Sequence, residues 1–149
     1  MLIRFSHREP VKATPAAAFA LIDDLPRTPE WLPNAVALTN TSSGPNKAGD
    51  KLRYVYRQGS KEAEMGGVIA VRDPGRRLLC TYSDFLFDVS VDLGVETEAG
   101  QTITIHTIEV TPKTLMAKLL SPIVRIGIKR QTLRAAANLR RLIESAPGH

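Results

Sequence analysis

The run from Pro122 to Ser145 reads as one long helix, and no other stretch constrains the chain as much. At 100° per residue, Val124, Ile128, Ala135, Leu139 and Leu142 fall within one narrow arc, with Arg130, Arg134 and Arg141 opposite. At ~1.5 Å per residue such a helix is about 36 Å long, enough to cross a whole small domain. Its apolar stripe requires a broad apolar surface beneath it.

The middle of the chain supplies that surface as strands. Phe87, Val89, Val91, Leu93 and Val95 alternate strictly with Asp88, Ser90, Asp92, Gly94 and Glu96, the clearest two-residue period in the sequence. Before it, Leu52, Tyr54 and Tyr56 alternate with Arg53, Val55 and Arg57. Ala63, Met65, Ile69 and Val71 then carry a strand across Gly66-Gly67, and Leu78 to Tyr82 forms another. After it, Glu98-Ala99-Gly100 turns the chain into a last strand, Gln101 to Thr111, stopped by Pro112. The turns at Gln58 to Lys61 and at Asp73-Pro74-Gly75 have hairpin length, so a meandering antiparallel sheet is expected. Thr41 to Asp50, rich in Ser, Gly, Pro and Asn, is a loop.

The N-terminal part follows a different plan. Leu2 to Ala13 reads as a first strand interrupted near Pro10. Thr14 and Pro15 cap and open a short helix that ends at Asp23-Asp24. A second short helical turn is expected over Pro29 to Pro33, and an extended segment from Ala35 to Leu38.

A chain of 149 residues with 43% hydrophobic content can bury a core as one domain without disulfides or a structural metal. Cys80, the only cysteine, excludes an internal disulfide and a thiolate metal cluster. Met1 to Phe5 is too short for the apolar part of a signal peptide, and no later stretch approaches the ~20 continuous apolar residues of a membrane span. A soluble, cytoplasmic protein is expected. The net charge of +5 is uneven: Lys113 to His149 holds eight basic residues against Glu144 alone. That balance belongs to the last helix and argues against a nucleic-acid surface spread over the whole protein.

The order of elements, a strand, two short helices, six strands and a long helix, resembles the helix-grip arrangement of the polyketide cyclase/dehydrase and lipid transport family, within the START-like (SRPBCC) superfamily. The resemblance is carried by Val11, Ala13 and Pro15 with Phe19 and Asp24, by Trp31 and Pro33, by the turn from Asp73 to Leu78, and by Leu115 to Val124 leading into the last helix. It spans nearly the whole chain. It implies an α+β fold in which a strongly curved antiparallel sheet wraps around the C-terminal helix, leaving a cavity for apolar molecules between them. Gly66-Gly67 fits a sharp bend of such a sheet, and a simple bulge explains it as well. Members of the family include aromatase/cyclases, lipid carriers, ubiquinone-binding proteins and a ribosome-associated toxin, so the resemblance does not select a function.

His7, His106 and His149 lie far apart, without metal-ligand spacing or a nucleophile motif, and there is no phosphate-binding glycine loop. No catalytic residue, metal or cofactor is assigned. Asp23-Asp24 is expected to end a helix near solvent, and Asp88 and Asp92 to share the outer face of a strand. Counting back from Pro112, Val110, Ile108, His106, Thr104 and Thr102 share one face, which the resemblance turns toward the cavity. Polar groups there need hydrogen-bond partners in the core or the polar end of a ligand. A bulge would instead bring Ile103 and Ile105 inward. Trp31, Tyr54, Tyr56 and Tyr82 combine apolar bodies with polar tips. The cavity candidates are therefore Trp31, Tyr54, Tyr56, Met65, Tyr82, Phe87, Thr104, His106, Val124 and Ile128, each of which also has a plain explanation as a core residue.

The function expected is binding or transport of one small hydrophobic or amphipathic ligand: a lipid, an isoprenoid quinone or a polyketide-like molecule. The enzymatic alternative is a polyketide cyclase, aromatase or dehydratase in which His106, Tyr54 or Tyr56 assists proton transfer. A third reading is an interaction module docking through the basic helix on RNA or an anionic membrane. Ile126, Leu133 and Ala137 form a second apolar line on that helix, covered either by the early helices or by a transient membrane-surface or protein contact. No specific nucleic-acid partner is expected, and the protein is expected to be a monomer or a weak homodimer.

Overall fold

A computed structural model describes residues 2–145. His149 lies outside the described residues. In chain order the elements are β1 (Ile3–Val11), α1 (Pro15–Asp23), a 3-10 helix (Leu25–Glu30), β2 (Ala35–Asn40), β3 (Lys51–Gln58), β4 (Lys61–Asp73), β5 (Arg77–Ser83), β6 (Phe87–Glu98), β7 (Gln101–Pro112), α2 (Leu115–Leu119) and α3 (Ser121–Ser145). The seven strands form one antiparallel sheet in the order β1-β7-β6-β5-β4-β3-β2. From β2 to β7 it is a plain meander. Only β1 pairs with a strand distant in sequence, and α1 with the 3-10 helix carries the chain from one sheet edge to the other. The architecture is the α+β helix-grip fold: a curved sheet with the long C-terminal helix laid against its inner face.

Short-range chemistry sets the helix boundaries. Thr14 Oγ1 accepts from the Ala17 N–H at 3.1 Å, with Pro15 in the first turn of α1. Thr114 caps α2 in the same way, accepting from the Ala117 N–H at 3.1 Å. In α3 the residues pressed against the rest of the protein are Thr132, Ala135, Ala136, Leu139 and Ile143, none more than 2% exposed. Arg140 reaches the Glu9 carboxylate at 3.2 Å, and Glu144 accepts from the Lys12 N–H at 2.8 Å, so β1 is fastened to the end of α3.

Five expectations are corrected. The first strand is not interrupted: Pro10 pairs opposite Ile103 in an unbroken register from Ile3–Val110 to Val11–Thr102. β1 is an edge strand, where proline's missing N–H is tolerated. The second helical segment lies earlier than Pro29 to Pro33, because Leu25 and Thr28 are its buried residues and Trp31 already caps its end. Ile126, Leu133 and Ala137 are exposed, so the early helices do not cover them.

The fourth correction concerns β4. Its irregularity lies between Ile69 and Val71, not at Gly66-Gly67. The extra residue reverses which side chains face inward beyond it, because strand parity has period two. Arg72 is thereby turned toward α1. There its guanidinium lies 5.9 Å from the centre of the Phe19 ring and donates two hydrogen bonds to Asp23, at 3.0 and 2.7 Å. Asp23 is therefore half-buried and paired rather than a solvent-facing end. Burial alone would raise its pKa, but hydrogen bonds from Arg72 and Asn46 together with the Arg72 charge hold it below the usual carboxylate value.

Candidate functional site

Between the inner face of the sheet and the N-terminal half of α3 lies a cavity of about 340 Å³. Strand periodicity builds its wall. Tyr54 and Tyr56 come from β3, Met65 from β4, Tyr82 from β5, Phe87 from β6 and His106 from β7, while Val124 and Ile128 close it from α3 and Trp31 from the segment after the 3-10 helix. Those nine are nine of the ten expected residues. Thr104 is the exception: it is buried on the same strand face as His106, but its hydroxyl donates to the Glu9 carbonyl at 3.4 Å and it does not reach the cavity. Thr102 likewise donates to the Ala13 carbonyl at 2.6 Å. β7 carries no register shift, so Ile103 and Ile105 stay off the cavity face.

The aromatic wall is continuous. Tyr54 stacks on Tyr56 at 5.3 Å and tilts against Tyr82 at 5.5 Å. Gly67 makes room for Tyr82. The two are register partners, and a Cβ on Gly67 would run into the Tyr82 ring and stand 2.7 Å from the Thr81 carbonyl.

Each titratable group shifted by this wall is held in its uncharged form. Burial, assisted by the charge of His7, lowers His106 to about 4. Burial with the neighbouring Tyr56 pushes Tyr54 up to about 12, and burial pushes Cys80 up to about 11. Tyr82 and Tyr56 are raised as well, again chiefly by burial. The formal charges on the lining, Arg57 and Asp84, both sit in or beside turn regions, at the end of β3 and before β6.

Among the described residues, three buried polar atoms of the cavity lining have no hydrogen-bond partner: Trp31 Nε1, His106 Nδ1 and His106 Nε2. The two rings meet edge to face at 6.2 Å, with residue exposures of 2% and 3%. Nearly all buried polar side-chain atoms find partners, and leaving one unpaired costs about 1–3 kcal/mol. A neutral imidazole has one donor and one acceptor, and an indole has one donor. The pair can therefore address a hydroxyl or a carbonyl.

Sequence reasoning missed several wall residues. Leu78 and Cys80 share a face with Tyr82, and Val89, Val91 and Leu93 share one with Phe87, so the same alternation that nominated the aromatics could have found them. Ile22, Leu25 and Asn34 carry no such signal, because they come from α1, the 3-10 helix and the turn before β2 rather than from an alternating strand.

The sequence matches the polyketide cyclase/dehydrase and lipid transport family over residues 3–144, and the chain belongs to that family. No curated protein matches it in sequence. Similar solved structures include a Thermus thermophilus protein, with TM-score 0.77 and 15% identity over 99% of this chain and 100% of the other. A START superfamily protein of Mycobacterium smegmatis aligns with TM-score 0.77 and 12% identity over 95% of this chain and 97% of that one. A Streptomyces aromatase/cyclase aligns with TM-score 0.74 and 12% identity over the full length of both. At these identities the likeness is one of fold. Among the described residues no helix is long and apolar enough to cross a membrane.

Proposed function

We propose that the protein binds one amphipathic small molecule, with an apolar body against the tyrosine wall and an uncharged hydroxyl or carbonyl at Trp31 and His106. The observation that carries this reading is the unpartnered pair, Trp31 and His106, inside an apolar cavity of about 340 Å³. That volume is within the range of small-molecule sites, roughly 300–1,000 Å³. A wall that keeps its own groups neutral also disfavours a charged ligand end beside it. Lipid alcohols, isoprenoid quinones and polyketide-like ketones all have the required chemistry.

Binding is favoured over turnover by the same electrostatics. A general acid or base works best with a pKa near the operating pH, whereas His106 at about 4 and Tyr54 at about 12 both lie far from neutrality. The test is titration of the purified protein with matched probes, an aromatic alcohol or ketone and its parent hydrocarbon, alongside native mass spectrometry for a co-purifying molecule. The oxygenated probe should bind about fivefold tighter, the scale of one net hydrogen bond, and the preference should vanish in His106→Phe. No binding of any apolar probe would refute the reading. Saturable conversion of a polyketide precursor, lost in His106→Phe with affinity retained, would replace it with the cyclase.

A further inference from the structure

Beside the cavity the protein leaves an apolar face uncovered. Phe85, Leu115, Met116, Leu119, Ile123 and Ile126 are between 61 and 81% exposed. On α2 and the first turns of α3 their spacing of three and four residues places Leu115, Leu119, Ile123 and Ile126 along one side. The join between the helices is tight, since the Leu120 N–H donates to the Met116 and Ala117 carbonyls. The turn between β5 and β6 is tied to the same place: the Lys113 N–H donates to the Leu86 carbonyl and its ammonium to the Asp84 carbonyl, both at 2.8 Å. Leu86, Phe87 and Val124, adjacent to these residues in sequence, line the cavity.

The helical part of this face carries charge of one sign. From Leu115 to Ile143 there are seven basic residues and no acid. Lys118, Arg125 and Lys129 stand among the apolar side chains, exposed and, among the described residues, without an ion-pair partner. The nearby carboxylates are already engaged: Asp84 accepts from the Leu86 and Phe87 N–H groups, and Asp88 accepts from Ser83 with Lys113 alongside at 3.7 Å. A contiguous exposed apolar face usually marks a contact surface. Aliphatic tips interspersed with cations suit the interface of an anionic bilayer, where the tips enter the acyl boundary and the cations meet phosphate. A nucleic acid would use the cations but leave the aliphatic tips in water.

We infer that α2, the first turns of α3 and the turn between β5 and β6 dock on an anionic phospholipid surface. Docking sets the part of the cavity wall formed by Leu86, Phe87 and Val124 beside the bilayer, which gives an apolar ligand a short path between membrane and cavity. The test is co-sedimentation of the full chain with phosphatidylcholine vesicles, with and without phosphatidylglycerol. Binding should require the anionic lipid and weaken as salt is added. Leu119→Ser with Ile123→Ser should lower it at least about tenfold, and Lys118→Gln with Arg125→Gln and Lys129→Gln should remove its salt dependence. Both variants should keep the native unfolding midpoint, since every changed side chain is exposed. Failure of the native protein to sediment, or equal sedimentation of native and both variants, would overturn the inference. So would a native dimer that Leu119→Ser with Ile123→Ser renders monomeric without any vesicle binding, which would give the face to a second copy of the chain. Vesicle binding needs no cavity ligand, so its failure leaves the proposed function standing.

Discussion

The two halves of α3 lie against the same sheet, yet the C-terminal half is packed solid and the N-terminal half roofs a cavity. Ala135, Ala136, Leu139 and Ile143 are at most 2% exposed, and Ala135, Leu139 and Ile143 join one cluster with Val11, Ala18 and Ile22. Val124 and Ile128 sit in a separate, smaller cluster with Ile3, Ile108 and Val110, and both border the void. Side-chain size explains the difference. Two adjacent alanines let the C-terminal half approach β1 and α1, while at the other half tyrosines, Trp31 and Phe87 hold the sheet wall away. One helix thus divides its work between holding the fold together and leaving space.

The largest expected effect lies in the solid half. Leu139→Ala should lose about 2–5 kcal/mol in denaturant unfolding, whereas Val124→Ala should lose less than ~1, because its side chain already faces open space. Equal losses would erase the distinction.

The next effect belongs to the cavity side and depends on pH. His106 is held at about 4 in the folded protein against an ordinary value of 6.5. Between those values the unfolded chain binds a proton that the folded one refuses. Stability from this source is complete above pH 6.5 and falls as pH drops toward 4, by on the order of 3 kcal/mol. In His106→Phe that part of the acid slope should disappear from unfolding midpoints measured across this range. An unchanged slope would mean the imidazole is solvated.

Gly67→Ala should cost about 1–3 kcal/mol and weaken probe binding by displacing Tyr82, while Gly66→Ala, with nothing within 4 Å of its added carbon, should be nearly neutral. Thermal unfolding and probe titration of the two variants would distinguish them. The smallest effect is expected outside both halves of the buried stripe. Changing Arg130, Arg134 and Arg141 together to glutamine should move stability by no more than ~0.5 kcal/mol and leave probe affinity in solution unaltered. A larger loss would show that this exposed face supports the fold.

Periodicity made the framework legible. The alternation from Phe87 to Val95 and the stripe from Val124 to Leu142 each identify an element and its inward face, because burial repeats with the backbone's own period. Departures from regular backbone were not legible. The added residue near Ala70 that turns Arg72 toward Asp23 has no local signal, since Ile69 and Val71 look like successive members of one face. Thr104 shows a second limit: parity placed it on the correct face of β7, but its bond to Glu9 depends on how closely β1 lies. The cavity itself is set by a difference between the volume the sheet encloses and the volume its side chains fill, a quantity that no local pattern encodes.

The pairing of β1 with β7 also dictates a history. Arg4 and Glu109, hydrogen-bonded across the two strands, are 105 residues apart in sequence. At about 5–20 residues per second of synthesis, the first strand emerges roughly 5–20 s before its partner exists. Closure over so long a separation belongs to the slow end of single-domain folding. While it waits, the strand is guarded by its own composition: Arg4, Arg8, Glu9 and Pro10 interrupt the apolar positions Ile3, Phe5 and Val11 and make it a poor template for other chains. The proline that looked like a flaw in the strand is, during translation, a protection.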